Sequence, residues 1–533
     1  MHKVKSMWMG HGMASVLVML AAGSAVADLV LPAVISSRMV LQRGQPAPIW
    51  GTAGAGSRVT VDFAGRQGES IAGADGRWLV RLAPLDASTN GRPMTIVAVD
   101  PQGQREERRL DDILVGEVWL GSGQSNMAMP VNQYGQDRAL AASAARSYPA
   151  IRLIRSGEAA WQAAEPPANR NFSALLFAFG VVLQRELDVP VGLLVGAVGG
   201  TPSGAWLSRA AYEGSPACSA DVARALAVFD AAAFERQNAQ RLQAWSNLVE
   251  KAASEGGRRP GRPKLSLAPG MARSPIGSLY ERHIRPFLPF AIRGVLWDQG
   301  EAGTGIGGVT QLALMGALIE GWRGDWHAAG GAGGAPDAVS FLFVQKPNGG
   351  GCAWDPADPV TAQAAALAPL PASPPPPAQA IHRGEHGRIA EIPGTSMVIS
   401  SDLGAGTHPV NKTGYGTRAA RVALERVYGR DTVSSGPVYA SHQSEEGCIR
   451  IRFKHVGQGL AWRGERLQGF AVAGEDRQFR WADAVIDGDQ VVVSAEGVPR
   501  PVAVRYAWAH AHPWANLFNR NGLPAVAFRT DDW

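Results

Sequence analysis

The chain has 533 residues, of which 46% are hydrophobic and 18% charged. That balance excludes a disordered chain, and the length predicts two to four domains rather than one core. A formal charge of +5 is too small and too dispersed to make nucleic acid the partner, and no apolar run beyond the N-terminus is long enough to span a bilayer.

In chain order, residues 1–27 read as a signal peptide. His2, Lys3 and Lys5 form a basic start, Met13 to Ala22 an apolar stretch, and Ala25-Val26-Ala27 a small-x-small cleavage site before Asp28. The expectation is export, to the periplasm or medium, with no membrane association after cleavage. Residues 28–112 predict an N-terminal β-domain, because VTVDF (59–63) and RWLVRL (77–82) are separated by Gly-rich turns.

From 113 to 434 the pattern becomes α/β. ILVGEVWL (113–120), VGLLVGAV (191–198), AIRGVLW (291–297), VSFLFVQ (339–345) and SMVISSDL (396–403) read as strands. Helices are predicted near 172–183, with Asn171 as the cap, across 219–255 and over 312–322. A Gly-rich turn (327–338) and a Pro/Ala-rich spacer (364–380) interrupt them. Alternating strands and helices predict a parallel sheet with helices on both faces. Residues 435–533 return to β, with CIRIRF (448–453) and a DG-turn hairpin over 484–493.

Cys218, Cys352 and Cys448 are far apart, allow at most one disulfide, and read as three buried thiols. His382 and His386 in HRGEH lack the HExxH order of a zinc helix, so no metal is expected.

Ligands of open parallel sheets sit beyond the carboxyl ends of the strands. The residues following the predicted strands are GSGQSN with Ser125, GGTPSG with Gly199 and Gly200, DQGEAG with Gln299 and Glu301, and Asp402 followed by AGTHP with His408. A hydroxyl, exposed glycines, an amide and a histidine are the parts of a serine hydrolase. The small residues around Ser125 would leave it open to substrate. By itself GSGQSN reads better as a polar turn than as a nucleophile, and it lacks the G-x-S-x-G elbow.

VGEVWLGSGQSNMAMPV, VGGTPSGAWLS, GVLWDQGEAG and HPVNK, with RMVLQRGQPAPIWG (38–51) and NLFNRNGLPAVAFRTDDW (516–533), together resemble the sialate O-acetylesterase-like branch of the SGNH hydrolases. The resemblance implies a three-layer αβα catalytic unit between N- and C-terminal β-sandwich-like regions. It also implies a cofactor-independent esterase that removes acetyl groups from carbohydrate through an acetyl-serine. Ser125 then matches the nucleophile and His408 the base. The N–H groups of Ser125 and of Gly199 or Gly200, with the Gln299 amide, match the oxyanion site, and Glu301 matches a supporting acid.

Two departures stand out. Ala302 and Gly303 replace the family's Ser-Asn, and Ala405 stands where the family places an Asp three residues before the histidine. Asp402 is the nearest preceding acid and reads equally as the group that orients His408 or as a turn cap; Asp298, Glu301, a backbone carbonyl or a Ser-His dyad with no orienting acid are the alternatives. Acetylated sialic acid and acetylated plant cell-wall polysaccharide both fit as substrate, with Trp206 and Trp297 as sugar contacts. The rival readings are a non-catalytic carbohydrate-binding protein on this scaffold and a broad lipase or thioesterase. Nothing in the sequence speaks to oligomeric state.

Overall fold

The computed structural model describes residues 28–330, 339–376 and 380–533. The expected signal peptide, and residues 331–338 of the Gly-rich turn, lie outside them.

One strand organises the molecule. β1 (Arg105–Gly123) is 19 residues long. Its first half pairs antiparallel with Ser88–Val99 in the N-terminal β region. Its second half, buried on both faces, is a central strand of the α/β sheet. The expected domain boundary at 112/113 therefore falls inside a strand. The register slips there, and Asp112 takes a φ of 57°. Such a bulge lets one strand bend between two sheets.

The other strands of this sheet are β2 (Tyr148–Arg155), β3 (Gln162–Ala164), β4 (Val191–Ala197), β5 (Gly294–Asp298), β6 (Ser340–Val344) and β7 (Thr395–Val398), in spatial order β7-β6-β5-β1-β4-β2-β3. All neighbours are parallel except β2 and β3.

Side chains alternate across the sheet, as a pleat of period two requires. Leu193, Leu296 and Leu342 point into a core shared with helices α2 (Ala174–Leu187) and α5 (Lys412–Arg426). Val295, Trp297, Phe341 and Phe343 face the opposite core, filled by α3 (Gln311–Ala328). Helix α2 is capped by Ser173, whose side chain accepts from Leu176 N–H, and not by Asn171. The long helical stretch after 215 is two helices, Pro216–Ala227 and Ala231–Ser254, broken before a second cap at Asp230.

Trp206 and Trp297, expected as sugar contacts, are buried. Their rings meet edge to face at 6.3 Å, and Trp297 meets Trp322 at 5.9 Å. Each aromatic side chain buried in this way contributes roughly 1.5–3 kcal/mol. They belong to the α3-side core and offer no surface to a ligand.

The RMVLQRGQ stretch joins the β region to the sheet. Gln42 and Arg43 both bond the buried Glu117 carboxylate of β1, which also accepts from Arg293 and Tyr428. The predicted C-terminal hairpin forms as Asp483–Asp487 paired with Gln490–Ser494. Arg383, on α4 (Ile381–Ile389), fastens the C-terminal region to the α/β unit by donating to the carbonyls of Gly349, Ala509 and His510. All three cysteines are free; Cys218 and Cys352 are buried and Cys448 is half-exposed.

Candidate active site

β1 ends in a turn that only glycine can make. Gly123 has a φ of 127°, and a Cβ there would collide with the Asp298 carbonyl of β5. The chain turns at once into the short helix α1 (Ser125–Ala128), with Gln124 N–H donating to Asp298 O at 2.9 Å. Ser125 is thereby set at the carboxyl rim of the sheet, at the first position of a helix, where backbone N–H groups lack intrahelical partners.

His408 comes from the loop between β7 and α5. Its Nε2 lies 2.8 Å from Ser125 Oγ, and its ring is exposed. This distance suits a hydroxyl donating to a neutral imidazole. Gly199 follows β4 on the other side of Ser125; a Cβ built on it would stand 3.5 Å from the Ser125 Cβ. Gly200 is exposed at a φ of 73°. Of the pair, Gly199 is the one against the serine.

Two expected site residues have other duties. Asp402 is buried and bonds Arg418 of α5 through both oxygens, at 3.1 and 2.9 Å. No hydrogen bond joins it to His408. A buried carboxylate needs a full countercharge, and Arg418 supplies it two-pronged.

Gln299 is the second correction. Its amide nitrogen donates to Thr201 O at 3.3 Å and Gly303 O at 3.0 Å. Its oxygen accepts from Ser203 Oγ and from Gln311 Nε2. A primary amide has two N–H donors, and both are occupied. Gln299 braces the 199–205 loop against the 299–304 loop, with no donor left for an oxyanion.

Behind the serine lies a buried polar cluster of which sequence reading singled out only the acids Asp298 and Glu301. Lys346 Nζ sits 2.6 Å from Asp298 and 2.7 Å from Glu301, and 2.9 Å from Asn348 Oδ1. Burial alone would lower the Lys346 pKa, but the two carboxylates outweigh it and hold the ammonium charged. Glu301 Oε1 also accepts from Asn348 Nδ2 at 3.1 Å and from Asn126 Nδ2 at 2.9 Å. Lys412 Nζ, buried over the Tyr134 and Tyr415 rings at 4.8 and 5.4 Å, donates to Asn126 Oδ1 at 2.7 Å. Burial pushes the Lys412 pKa down to about 7, while Asp298, Glu301 and Asp137 pull it upward and Lys346 downward.

The His408 loop is held by its carbonyls. Tyr415 donates to Gly404 O at 3.0 Å, Asn348 to Gly406 O at 3.3 Å and Asn126 to Thr407 O at 2.8 Å. Asn126 and Lys412 stand inside the motifs GQSNM and HPVNK, so position in a motif was the available signal. In the HRGEH stretch, the buried His386 accepts the Lys346 backbone N–H at 3.0 Å and packs edge-on to Phe343, a structural duty.

No protein-family model matches the sequence. The chain is 30% identical over 343 residues to sialate O-acetylesterase of Rattus norvegicus and 28% identical over 324 residues to that of Homo sapiens. These alignments cover 58% and 55% of this chain, and it spans only 59% and 52% of the relatives' length. Among solved structures it is similar to a carbohydrate acetylesterase from Xanthomonas citri, with a TM-score of 0.69 and 28% identity, covering 95% of this chain and 100% of that one. The resemblance read from the motifs is borne out: the chain is sialate O-acetylesterase-like in sequence and carbohydrate acetylesterase-like across its fold.

Proposed function

We propose that the chain is an exported serine O-acetylesterase of carbohydrates, built on an SGNH-type three-layer unit and working through an acetyl-serine. The observation that carries this reading is the 2.8 Å contact between Ser125 Oγ and His408 Nε2 at the carboxyl rim of the sheet. With Nδ1 protonated, Nε2 accepts the hydroxyl proton as Oγ attacks the acetyl carbonyl. The developing oxyanion meets the N–H of Ser125 and that of Gly199, the glycine nearest the serine. His408 then protonates the departing sugar oxygen. Water, deprotonated by the same histidine, hydrolyses the acetyl-serine and restores the hydroxyl.

The substrate is an acetylated sugar, sialic acid or a cell-wall polysaccharide. The relatives' names support the first, and the flanking β regions suit a polymer. The test is acetate release from acetylated sialic acid, xylan, xyloglucan and pectin by wild type and by Ser125→Ala. Loss of turnover in a folded Ser125→Ala supports the assignment; retained turnover removes it. One observation favours a non-catalytic sugar-binding protein instead: Asp402 is committed to Arg418. That reading expects affinity for the same glycans with no acetate released by wild type.

A further inference from the structure

We propose that Asn126, held from behind by Lys412, is the positioning residue that keeps His408 against Ser125, replacing an orienting carboxylate on the histidine. This deepens the esterase reading and rests on it.

Asn126 directly follows Ser125 in α1, so its backbone moves with the nucleophile. Its Nδ2 donates to the carbonyl of Thr407, immediately before His408, at 2.8 Å. Its Oδ1 accepts from Lys412, four residues after His408, at 2.7 Å. One buried side chain therefore grips the histidine loop on both sides of the base. The second Nδ2 hydrogen goes to Glu301 at 2.9 Å, which Lys346 anchors to the end of β5 through Asp298.

Only an amide fits this place. It must donate twice, to a carbonyl and a carboxylate, and accept once, from the Lys412 amino group. A carboxylate cannot donate, and a hydroxyl has one hydrogen. Lys412 Nζ donates to Oδ1, so it fixes which end of the amide faces it. Its removal would leave the amide free to rotate and to release Thr407. Displacing a reacting group by about 1 Å can cost on the order of 10² in rate.

The experiment uses the full chain and measures kcat and KM on 4-nitrophenyl acetate, labelling of Ser125 by an organophosphonate, and thermal unfolding. Asn126→Ala and Lys412→Met are each expected to lower kcat and labelling rate by about 10- to 100-fold, with KM little changed and the variants folded. Because the two act through one chain of contacts, the double variant should lose little more than the worse single one. If Asn126→Ala does not fold, Asn126→Ser replaces it, since its shorter side chain cannot reach both partners. Singles within twofold of wild type, or fully multiplicative losses, overturn the proposal. A wild type that neither turns over nor labels instead overturns the esterase reading, and this proposal falls with it.

Discussion

Arg418 closes both oxygens of Asp402, and the pair is buried on each side. The carboxylate nearest His408 in sequence thus anchors α5 to the segment that follows β7 and makes no hydrogen bond to His408. Asp402→Asn should leave kcat nearly unchanged while lowering stability by about 3–5 kcal/mol, the usual result of removing one partner of a buried ion pair. Urea unfolding and acetyl-ester kinetics on the same variant check it. A large kcat loss with unaltered stability would return Asp402 to the catalytic group.

The adjacent glycines separate activity from stability. Gly199→Ala would add a methyl in ordinary contact with Ser125, at 3.5 Å from its Cβ. The fold should tolerate this, and turnover should fall because the methyl stands where substrate must approach. Gly200 has open space around it but a φ of 73°. Gly200→Ala should therefore cost about 1–2 kcal/mol of stability with a smaller effect on kcat. Thermal melts and kinetics of the two variants, side by side, decide whether the assignment of the two positions is right.

Gln299 is expected to behave as a brace. Gln299→Ala strips partners from Thr201, Gly303, Ser203 and Gln311, and each buried polar group left unsatisfied costs about 1–3 kcal/mol. The variant should melt earlier, with kcat falling only as far as the 199–205 loop loosens. An oxyanion donor would give the opposite pattern, a loss of about 10²–10³ in kcat at unchanged stability.

The apolar strands at the centre of the α/β sheet were legible because a strand buried on both faces reads as an uninterrupted run; the edge strand expected over 396–403 forms only at Thr395–Val398, where its two middle residues are half-buried. The strand Tyr148–Arg155 was not legible. Its sequence carries Pro149 and two arginines, and only the fold shows Arg152 buried against Asp112. Ser125, Gly199 and His408 were singled out because strand ends mark where a parallel sheet places its chemistry, and the structure brings the three together. Asp402 and Gln299 could not be resolved in the same way. Both stand at strand ends, but their hydrogen-bonding capacity is consumed by Arg418, Thr201, Gly303, Ser203 and Gln311, partners that sequence proximity mostly does not reveal. The two tryptophans failed for a related reason: proximity to a strand end says nothing about which face of the sheet a ring points to.

Lys412 gives a pH signature that depends on its burial. Its pKa is about 7 in the folded protein against an ordinary value of 10.5, with burial the main cause. Between those values the unfolded chain holds the proton and the folded chain does not. Stability therefore rises with pH wherever the unfolded state binds more protons, so this group adds stability as pH climbs from about 7 toward 10.5. Below about 7 both states carry the proton, and the cost of burying the ammonium is fully felt. Lys412→Met removes the titrating group. Its unfolding free energy, measured by urea at several pH values between 7 and 10, should rise less steeply than that of wild type, and the gap between the two should change with pH. Parallel curves would mean that Lys412 keeps an ordinary pKa, and that its cation remains solvated rather than sealed beneath Tyr134, Tyr415 and Asn126.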